Sequence, residues 1–96
     1  MATVVVVRQA VDDLAAISRT HSLPRDTPER VRRSIAPLGE FPLLGAPLTG
    51  RWTGFRFLLG PWRWMLVVYR YDEETDTVAI VTILDARSAR APTTSP

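Results

Sequence analysis

Arginines and aromatic residues alternate along one stretch of this sequence, and both residue types suit the binding of nucleic acid. Between Arg51 and Tyr71 the chain holds four arginines and no acidic residue. Each arginine has an aromatic neighbour, in the runs Arg51-Trp52, Phe55-Arg56-Phe57, Trp62-Arg63-Trp64 and Tyr69-Arg70-Tyr71. Guanidinium groups bind phosphate with paired hydrogen bonds, and aromatic rings stack on unpaired bases. The stretch is therefore either a surface for single-stranded RNA or a solvated strand face, and both interpretations stay open here.

Few residues of the sequence can transfer a proton. A guanidinium group keeps its proton because its pKa lies above about 12. The sequence has no lysine, no cysteine and a single histidine, His21. Because His21 lies in a polar connector that contains a proline, we expect it to be a solvated loop residue rather than a catalyst. The candidates for proton transfer are then Glu40, Tyr69, Tyr71 and Asp85.

The composition excludes several classes of protein. With no cysteine and one histidine, the chain lacks the usual zinc ligands, so we expect neither a metal nor another cofactor. No apolar run approaches the roughly 20 residues that span a bilayer, and the N-terminus lacks the pattern of a secretory signal. We therefore expect a cytoplasmic protein without membrane contact. The 96 residues suffice for one domain, placed at 1–90, with a flexible tail at 91–96.

The C-terminal half has the pattern of three antiparallel strands. Runs rich in β-branched and aromatic residues cover 54–60, 62–71 and 76–86, with turn residues between them. Because side chains alternate between the faces of a strand, Phe55 and Phe57 are expected in the core and Arg56 on the other face. The second strand is apolar on both faces and is expected to be central. Asp85 and Arg87, two residues apart, are expected to pair.

The N-terminal half has the pattern of one strand and two helices. Consecutive valines predict a buried strand at 3–7. Apolar residues at helical spacing predict a helix at 9–19, with Asp12 and Asp13 in its first turn. A second helix is expected to begin with Thr27 as its N-cap and to end near Ala36.

Residues 37–50 are rich in proline and glycine, which predicts an ordered loop without helix or strand. Four apolar side chains are expected to pin this loop: Phe41, Leu43, Leu44 and Leu48. The fold class is α+β, in which the N-terminal strand and a two-helix hairpin pack on an antiparallel sheet completed by the three-stranded meander. The helices are expected on one sheet face, with Arg56 and Arg87 on the other.

This order of elements, together with four short motifs, resembles the RelE/ParE superfamily of bacterial type II toxins. Residues 38–47 resemble the family's L-x-x-x-P-x-x-G-x-P, and 54–60 resemble G-x-R-x-L…G. Residues 67–72 resemble V-V-Y-x-x-D, and 83–87 resemble v-l-H-x-R. The resemblance extends from about residue 4 to residue 90, and it implies the strand-helix-helix-meander fold described above.

The resemblance implies a toxin that is held in a hetero-oligomer by a cognate antitoxin. It implies ribosome-dependent cleavage of messenger RNA first, inhibition of DNA gyrase by binding second, and an inactive toxin fold that only binds antitoxin third. The residues implied for each role are Arg56, Arg63, Asp85 and Arg87 for catalysis, Arg51, Tyr69 and Arg70 for RNA binding, and Trp52, Trp62 and Trp64 for antitoxin binding. At least one tryptophan is expected to be exposed, because three are many for a small core.

Two positions depart from the family pattern. The family's terminal histidine is replaced by Asp85. The family usually has an arginine three residues before the strand tyrosine, but Leu66 stands there and the nearest arginine is Arg63. Arg63 is the functional arginine if the turn sets the register, and that arginine is missing if the tyrosine sets it.

Overall fold

The computed structural model describes residues 1–88 and shows an α+β chain with one five-stranded sheet. The strands are β1 (Thr3–Val6), β2 (Ala46–Pro47), β3 (Arg56–Leu59), β4 (Met65–Asp72) and β5 (Thr77–Asp85). The α-helices are α1 (Arg8–Thr20) and α2 (Thr27–Ile35), and short 3₁₀ turns cover Ala36–Gly39 and Gly50–Trp52. The predicted α+β fold class is confirmed.

The sheet has the strand order β1-β5-β4-β3-β2. The last three strands form the predicted antiparallel meander. However, β1 pairs with β5 in parallel, so the sheet is mixed and not wholly antiparallel as expected. The two-residue strand β2, within a segment predicted to contain neither helix nor strand, extends the opposite edge by pairing with β3.

Strand β4 is central, as its two apolar faces predicted. Residues 65–69 are all buried, and they carry much of the core with residues of β5 and the helices. The strand begins at Met65 and not at residue 62, because the amide of Met65 donates to the carbonyl of Trp62 and closes a turn. Residues 62–64 therefore belong to the β3–β4 turn.

A bulge in β5 changes the face on which its C-terminal end projects. Ile80 pairs with Tyr69 and Thr82 pairs with Val68, so that Val81 is left as an extra residue between two pairs. Beyond the bulge, Asp85 pairs with buried Met65 and lies on the helix-covered face. Asp85, expected to pair with Arg87 on the face opposite the helices, therefore lies on the helix side, because one inserted residue reverses which side chains face the core.

Arg56 also lies on a different face from the one predicted. It pairs with buried Tyr69, so both side chains project toward the helices and the loop that precedes β2. Arg56 Nη1 donates to the carbonyl oxygens of Gly45 at 2.7 Å and Leu43 at 3.2 Å. The guanidinium tolerates this inward position because loop carbonyls satisfy it. Phe57, which was expected in the core, pairs with Val68 on the other face.

The loop before β2 is held by polar contacts and not by its apolar side chains. Phe41, Leu43 and Leu44 are all exposed, contrary to expectation, whereas Leu48 is buried. The amide of Gly45 donates to Tyr69 Oη at 2.8 Å, beside the two Arg56 contacts. A β-carbon at Gly45 would lie 2.6 Å from the carbonyl oxygen of Phe57, so only glycine fits this close approach.

Three further expectations for the N-terminal half are corrected. Strand β1 is a sheet edge with Val5 and Val6 exposed, so it is not buried. Thr27 is the first residue of α2 rather than its N-cap, and its hydroxyl donates to the carbonyl of Pro24. Helix α1 has no acidic residue in its first turn; Asp13 instead accepts a hydrogen bond from the hydroxyl of Thr82 of β5.

Two further expectations concern the bounds of the domain and its tail, and contact with a membrane. The tail placed at 91–96 lies outside the described residues, as does the end of the domain placed at 1–90. Within residues 1–88, no helix has the length and apolar character required to cross a membrane.

Candidate functional site

A cluster of three ionisable side chains lies at the C-terminal end of β5. The carboxylate of Asp85 accepts two side-chain hydrogen bonds from Arg87, Nε to Oδ1 at 3.1 Å and Nη2 to Oδ2 at 3.0 Å. The backbone amide of Arg87 also donates to Oδ1 at 2.8 Å. The predicted pairing of Asp85 with Arg87 is therefore present, and it is bidentate.

The third ionisable group of the cluster is the imidazole of His21. Helix α1 passes over the second half of β5, and His21 caps the C-terminal end of this helix. His21 Nε2 lies 3.2 Å from Asp85 Oδ2. The side chains of His21 and Asp85 are only 26% and 22% exposed, so both are sheltered but reachable. The expectation that His21 is a solvated loop residue was wrong.

An indole ring forms one wall of this cluster. The imidazole of His21 stacks on Trp64 with ring centroids 4.3 Å apart and an interplanar angle of 23°. The guanidinium carbon of Arg87 lies over the same indole, 5.7 Å from the ring centroid. Trp64 in turn stacks on Trp62 at 6.2 Å, and Arg30 of α2 lies over Trp62 at 5.7 Å. Rings and cations therefore form a continuous row from α2 to the end of β5.

The electrostatics of the cluster favour the charged forms of its acid and its arginine. Hydrogen bonding to Arg87 holds the pKa of Asp85 below its ordinary value of 3.8, and the nearby His21 acts in the same direction. The same pairing raises the pKa of Arg87. At neutral pH Asp85 is therefore an anion with a cation on one side and an imidazole on the other.

The cluster combines a proton-transfer group with a phosphate-binding group. Imidazole changes its protonation state near neutral pH, which suits a general base or acid. Of the five N–H donors of Arg87, two serve Asp85, and within residues 1–88 the other three remain for a phosphate oxygen. A pocket of about 270 Å³ adjoins the cluster and is lined by Asp13, Thr20, His21, Asp85 and others. These features suit chemistry on a phosphodiester.

The residues with implied catalytic roles do not all come together. Asp85 and Arg87 are joined, whereas Arg56 pairs with Tyr69, four residues along β4 from the partner of Asp85. Four residues of strand span roughly 13 Å, so Arg56 lies well away from the cluster. Arg63 is exposed in the turn between the two stacked indoles of Trp62 and Trp64.

The residues with implied RNA-binding roles are also dispersed. Tyr69 is fully buried, which raises its pKa above 10.0, and it offers no surface to a ligand. Arg70 is exposed and pairs with Ala79 on the sheet face opposite Tyr69. Arg51 is exposed in the 3₁₀ turn Gly50–Trp52. The alternation of arginine with aromatic residues therefore does not form one continuous surface.

Two other groups considered for proton transfer lie elsewhere. The hydroxyl of Tyr71 donates to Asp76 at 2.7 Å, and this bond raises the pKa of Tyr71. Glu40 is exposed at the C-terminal end of the first 3₁₀ turn. Neither residue contacts the cluster at the end of β5.

All three tryptophans are half-buried, whereas at least one of them was expected to be exposed. Trp62 and Trp64 are half-buried and pack against the core. Trp52 is also half-buried and makes an edge contact with Phe55 at 5.6 Å. Large exposed apolar side chains occur instead in the loop before β2 and near β1 and α1.

Sequence reasoning missed His21 because its role depends on a contact between residues 64 positions apart in the chain. Two local signals bear on it: it is the single histidine, and it directly follows an amphipathic helix. Neither signal shows that this helix ends beside Asp85. The parallel pairing of β1 with β5 places α1 over β5, and that pairing was not predicted.

Several solved structures have a fold similar to that of this chain. A chain of the toxin–antitoxin complex RelBE2 from Mycobacterium tuberculosis is 26% identical, with 88% of this chain and 96% of that chain covered and a TM-score of 0.59. A chain of the chromosomal ParDE toxin–antitoxin system from P. aeruginosa is 18% identical, with coverage of 91% and 98% and a TM-score of 0.71. The isolated E. coli RelE toxin is 12% identical, with coverage of 94% and 89% and a TM-score of 0.64. No family model and no curated protein matches the chain.

The pKa of the Asp85 carboxyl should depend on its pairing with Arg87. In a carbon-detected NMR titration, the Asp85 carboxyl should titrate below 3.8 in the parent protein and at a higher pH in Arg87→Gln. Because the lowered pKa belongs to the folded state, the pairing stabilises the fold above the unfolded pKa of Asp85. This contribution disappears as the pH falls through the folded value. Arg33→Gln, which changes an exposed arginine of α2, is the control. Identical Asp85 titrations in the parent and Arg87→Gln would contradict the pairing.

Proposed function

The chain has the fold of the RelE/ParE superfamily of toxins, and on this premise we propose that it is the toxin of a type II toxin–antitoxin system and cleaves messenger RNA. The observation that carries the proposal is the 3.2 Å approach of His21 to Asp85, whose carboxylate also holds Arg87. The resemblance places a histidine at position 85, where this chain has aspartate. His21 supplies an imidazole beside this position from a different element of the fold.

The chemistry that suits this cluster is attack by a ribose 2′-hydroxyl on the adjacent phosphate. Neutral His21 accepts the 2′-hydroxyl proton while the new O–P bond forms, and the bond from phosphorus to the 5′-oxygen breaks. The departing 5′-oxygen takes a proton from the imidazolium or from water. The products are a 2′,3′-cyclic phosphate and a 5′-hydroxyl end.

Asp85 and Arg87 assist different parts of this reaction. The anionic Asp85 stabilises the imidazolium that forms on His21 and holds the Arg87 side chain in place. The free N–H groups of Arg87 stabilise the additional negative charge that develops on the phosphate oxygens. His21, Asp85 and Arg87 therefore form the proposed catalytic unit, and Arg56 is placed outside it as the residue that holds the loop.

Translating ribosomes are the proposed site of action. The net charge of +2 gives the chain a weak electrostatic attraction to free RNA, since affinity for nucleic acid depends mainly on neutralised phosphates. A message that the ribosome already holds in an extended form does not have to be captured by this weak attraction. The resemblance to RelE-type toxins also implies that messenger RNA on the ribosome is the substrate.

A cognate antitoxin is the proposed partner. One of the similar structures is a toxin–antitoxin complex, and another belongs to a chromosomal toxin–antitoxin system. Between α1 and α2 the chain has a groove of about 570 Å³ whose lining is mainly apolar and includes Val6, Val11, Leu14 and Val31. Val6 and Val11 are exposed. An amphipathic antitoxin segment that laid its apolar face in this groove would cover them.

The cleavage proposal is tested by induced expression in a bacterial host, with growth, message integrity and plasmid supercoiling followed together. His21→Gln and Arg87→Ala should each reduce cleavage about 100-fold or more, because they remove the base and a phosphate contact of the transition state. Arg33→Ala, compared at matched soluble levels, should cleave as the parent does. Full cleavage by His21→Gln would overturn the assignment of the base. Intact messages with altered supercoiling in the parent would indicate gyrase as the target.

The antitoxin proposal is tested by co-purification with the product of the adjacent gene. Val11→Asp should weaken the complex strongly, because a carboxylate would be buried in an apolar groove without a partner. Leu59→Asp is the matched control, since Leu59 is 47% exposed and Val11 is 50% exposed but β3 lies outside the groove. Equal retention of both variants by the partner would contradict docking in this groove.

A further inference from the structure

Trp64 contacts two of the three residues of the proposed catalytic unit, His21 and Arg87, but not the carboxylate of Asp85. Its indole stacks on His21 at 4.3 Å and lies under the guanidinium of Arg87 at 5.7 Å. Its carbonyl oxygen accepts a hydrogen bond from the amide of Ala86, the residue between Asp85 and Arg87, at 2.6 Å. One residue of the β3–β4 turn therefore touches both the residue that caps α1 and the end of β5.

We propose that Trp64 is a positioning residue that holds His21 and Arg87 in the orientation in which both meet Asp85. This inference rests on the proposed function, because it assigns a role within that site. It differs from the role in antitoxin binding that the resemblance implied for Trp64. It also explains why this indole is half-buried rather than exposed.

The ring of Trp64 gives each of the two groups a second contact beside the one with Asp85. His21 follows the last residue of α1, and its ring contacts Asp85 and Trp64. Arg87 is 67% exposed in the turn after β5. An arginine side chain loses much rotational freedom when it is ordered, and a flat aromatic ring limits the orientations that remain.

Trp64 can serve as a rigid wall because its own position is fixed from three sides. Its ring stacks on Trp62, which Arg30 of α2 covers, and both indoles pack against the core. Its main chain is tied to β5 through Ala86. The next residue, Met65, is fully buried in β4. The wall is therefore part of the folded framework and not of a mobile loop.

The test uses the NMR signal of the histidine ring, which needs no assignment because the sequence holds one histidine. In tag-free protein, the Hε1 signal of His21 should be displaced by the ring current of Trp64. The displacement should disappear in Trp64→Leu and persist in Trp64→Phe, which keeps an aromatic ring. Phe55→Leu, which removes a half-buried ring elsewhere, should leave the signal unchanged. Trp64→Met replaces Trp64→Leu if circular dichroism shows that the latter is unfolded.

Cleavage kinetics provide the second measurement. Trp64→Leu should lower kcat about 100-fold, as expected when catalytic groups are misplaced by about 1 Å, with little change in KM. Trp64→Phe should recover most of this loss. An unchanged His21 signal or an unchanged kcat in folded Trp64→Leu would overturn the positioning role. If the parent protein cleaves no message, the proposed function fails, whereas the NMR comparison still decides whether the Trp64 ring lies against His21.

Discussion

A single unpaired residue in β5 determines where the proposed chemistry can occur. Val81 has no partner in β4, so the side chains beyond it change faces, and Asp85 lies on the same side of the sheet as α1. Without the bulge, regular alternation would direct Asp85 to the opposite face, away from His21. Asp13 of α1 accepts hydrogen bonds from Thr82 and from the amide of Ile83 next to the bulge, so helix and bulge are held together.

This constraint links three parts of the chain that are distant in sequence. Helix α1 brings His21, the end of β5 brings Asp85 and Arg87, and the β3–β4 turn brings Trp64. The core beneath them is the buried part of β4, on which both the bulged strand and the helices pack. A second polar arrangement, in which Arg56 and Tyr69 hold the loop at Gly45, lies farther along the same strand and has a structural role.

The sequence predicted the elements of this fold better than it predicted the contacts between them. Alternating and helical apolar patterns indicated both helices, the meander and the central strand, because these features depend on local periodicity. The faces predicted for Arg56 and Asp85 were wrong. A bulge in β5 overrides simple alternation at Asp85, and loop carbonyls accept hydrogen bonds from Arg56 on the face that alternation did not predict. The pairing of Asp85 with Arg87 was predicted because the two residues are two positions apart in the chain. The contact of His21 with Asp85 was not, because it depends on how α1 crosses β5.

The central step of the proposed reaction is attack by the ribose 2′-hydroxyl with His21 as the base. The most direct measurement uses ribosomes programmed with one message in two forms, one with ribose throughout and one with a single 2′-deoxynucleotide at the mapped cleavage position. The ribose message should be cut to a 2′,3′-cyclic phosphate end, and the substituted message should remain intact at that position. Equal cleavage of the two messages would contradict the account, because the nucleophile would then not be the 2′-hydroxyl.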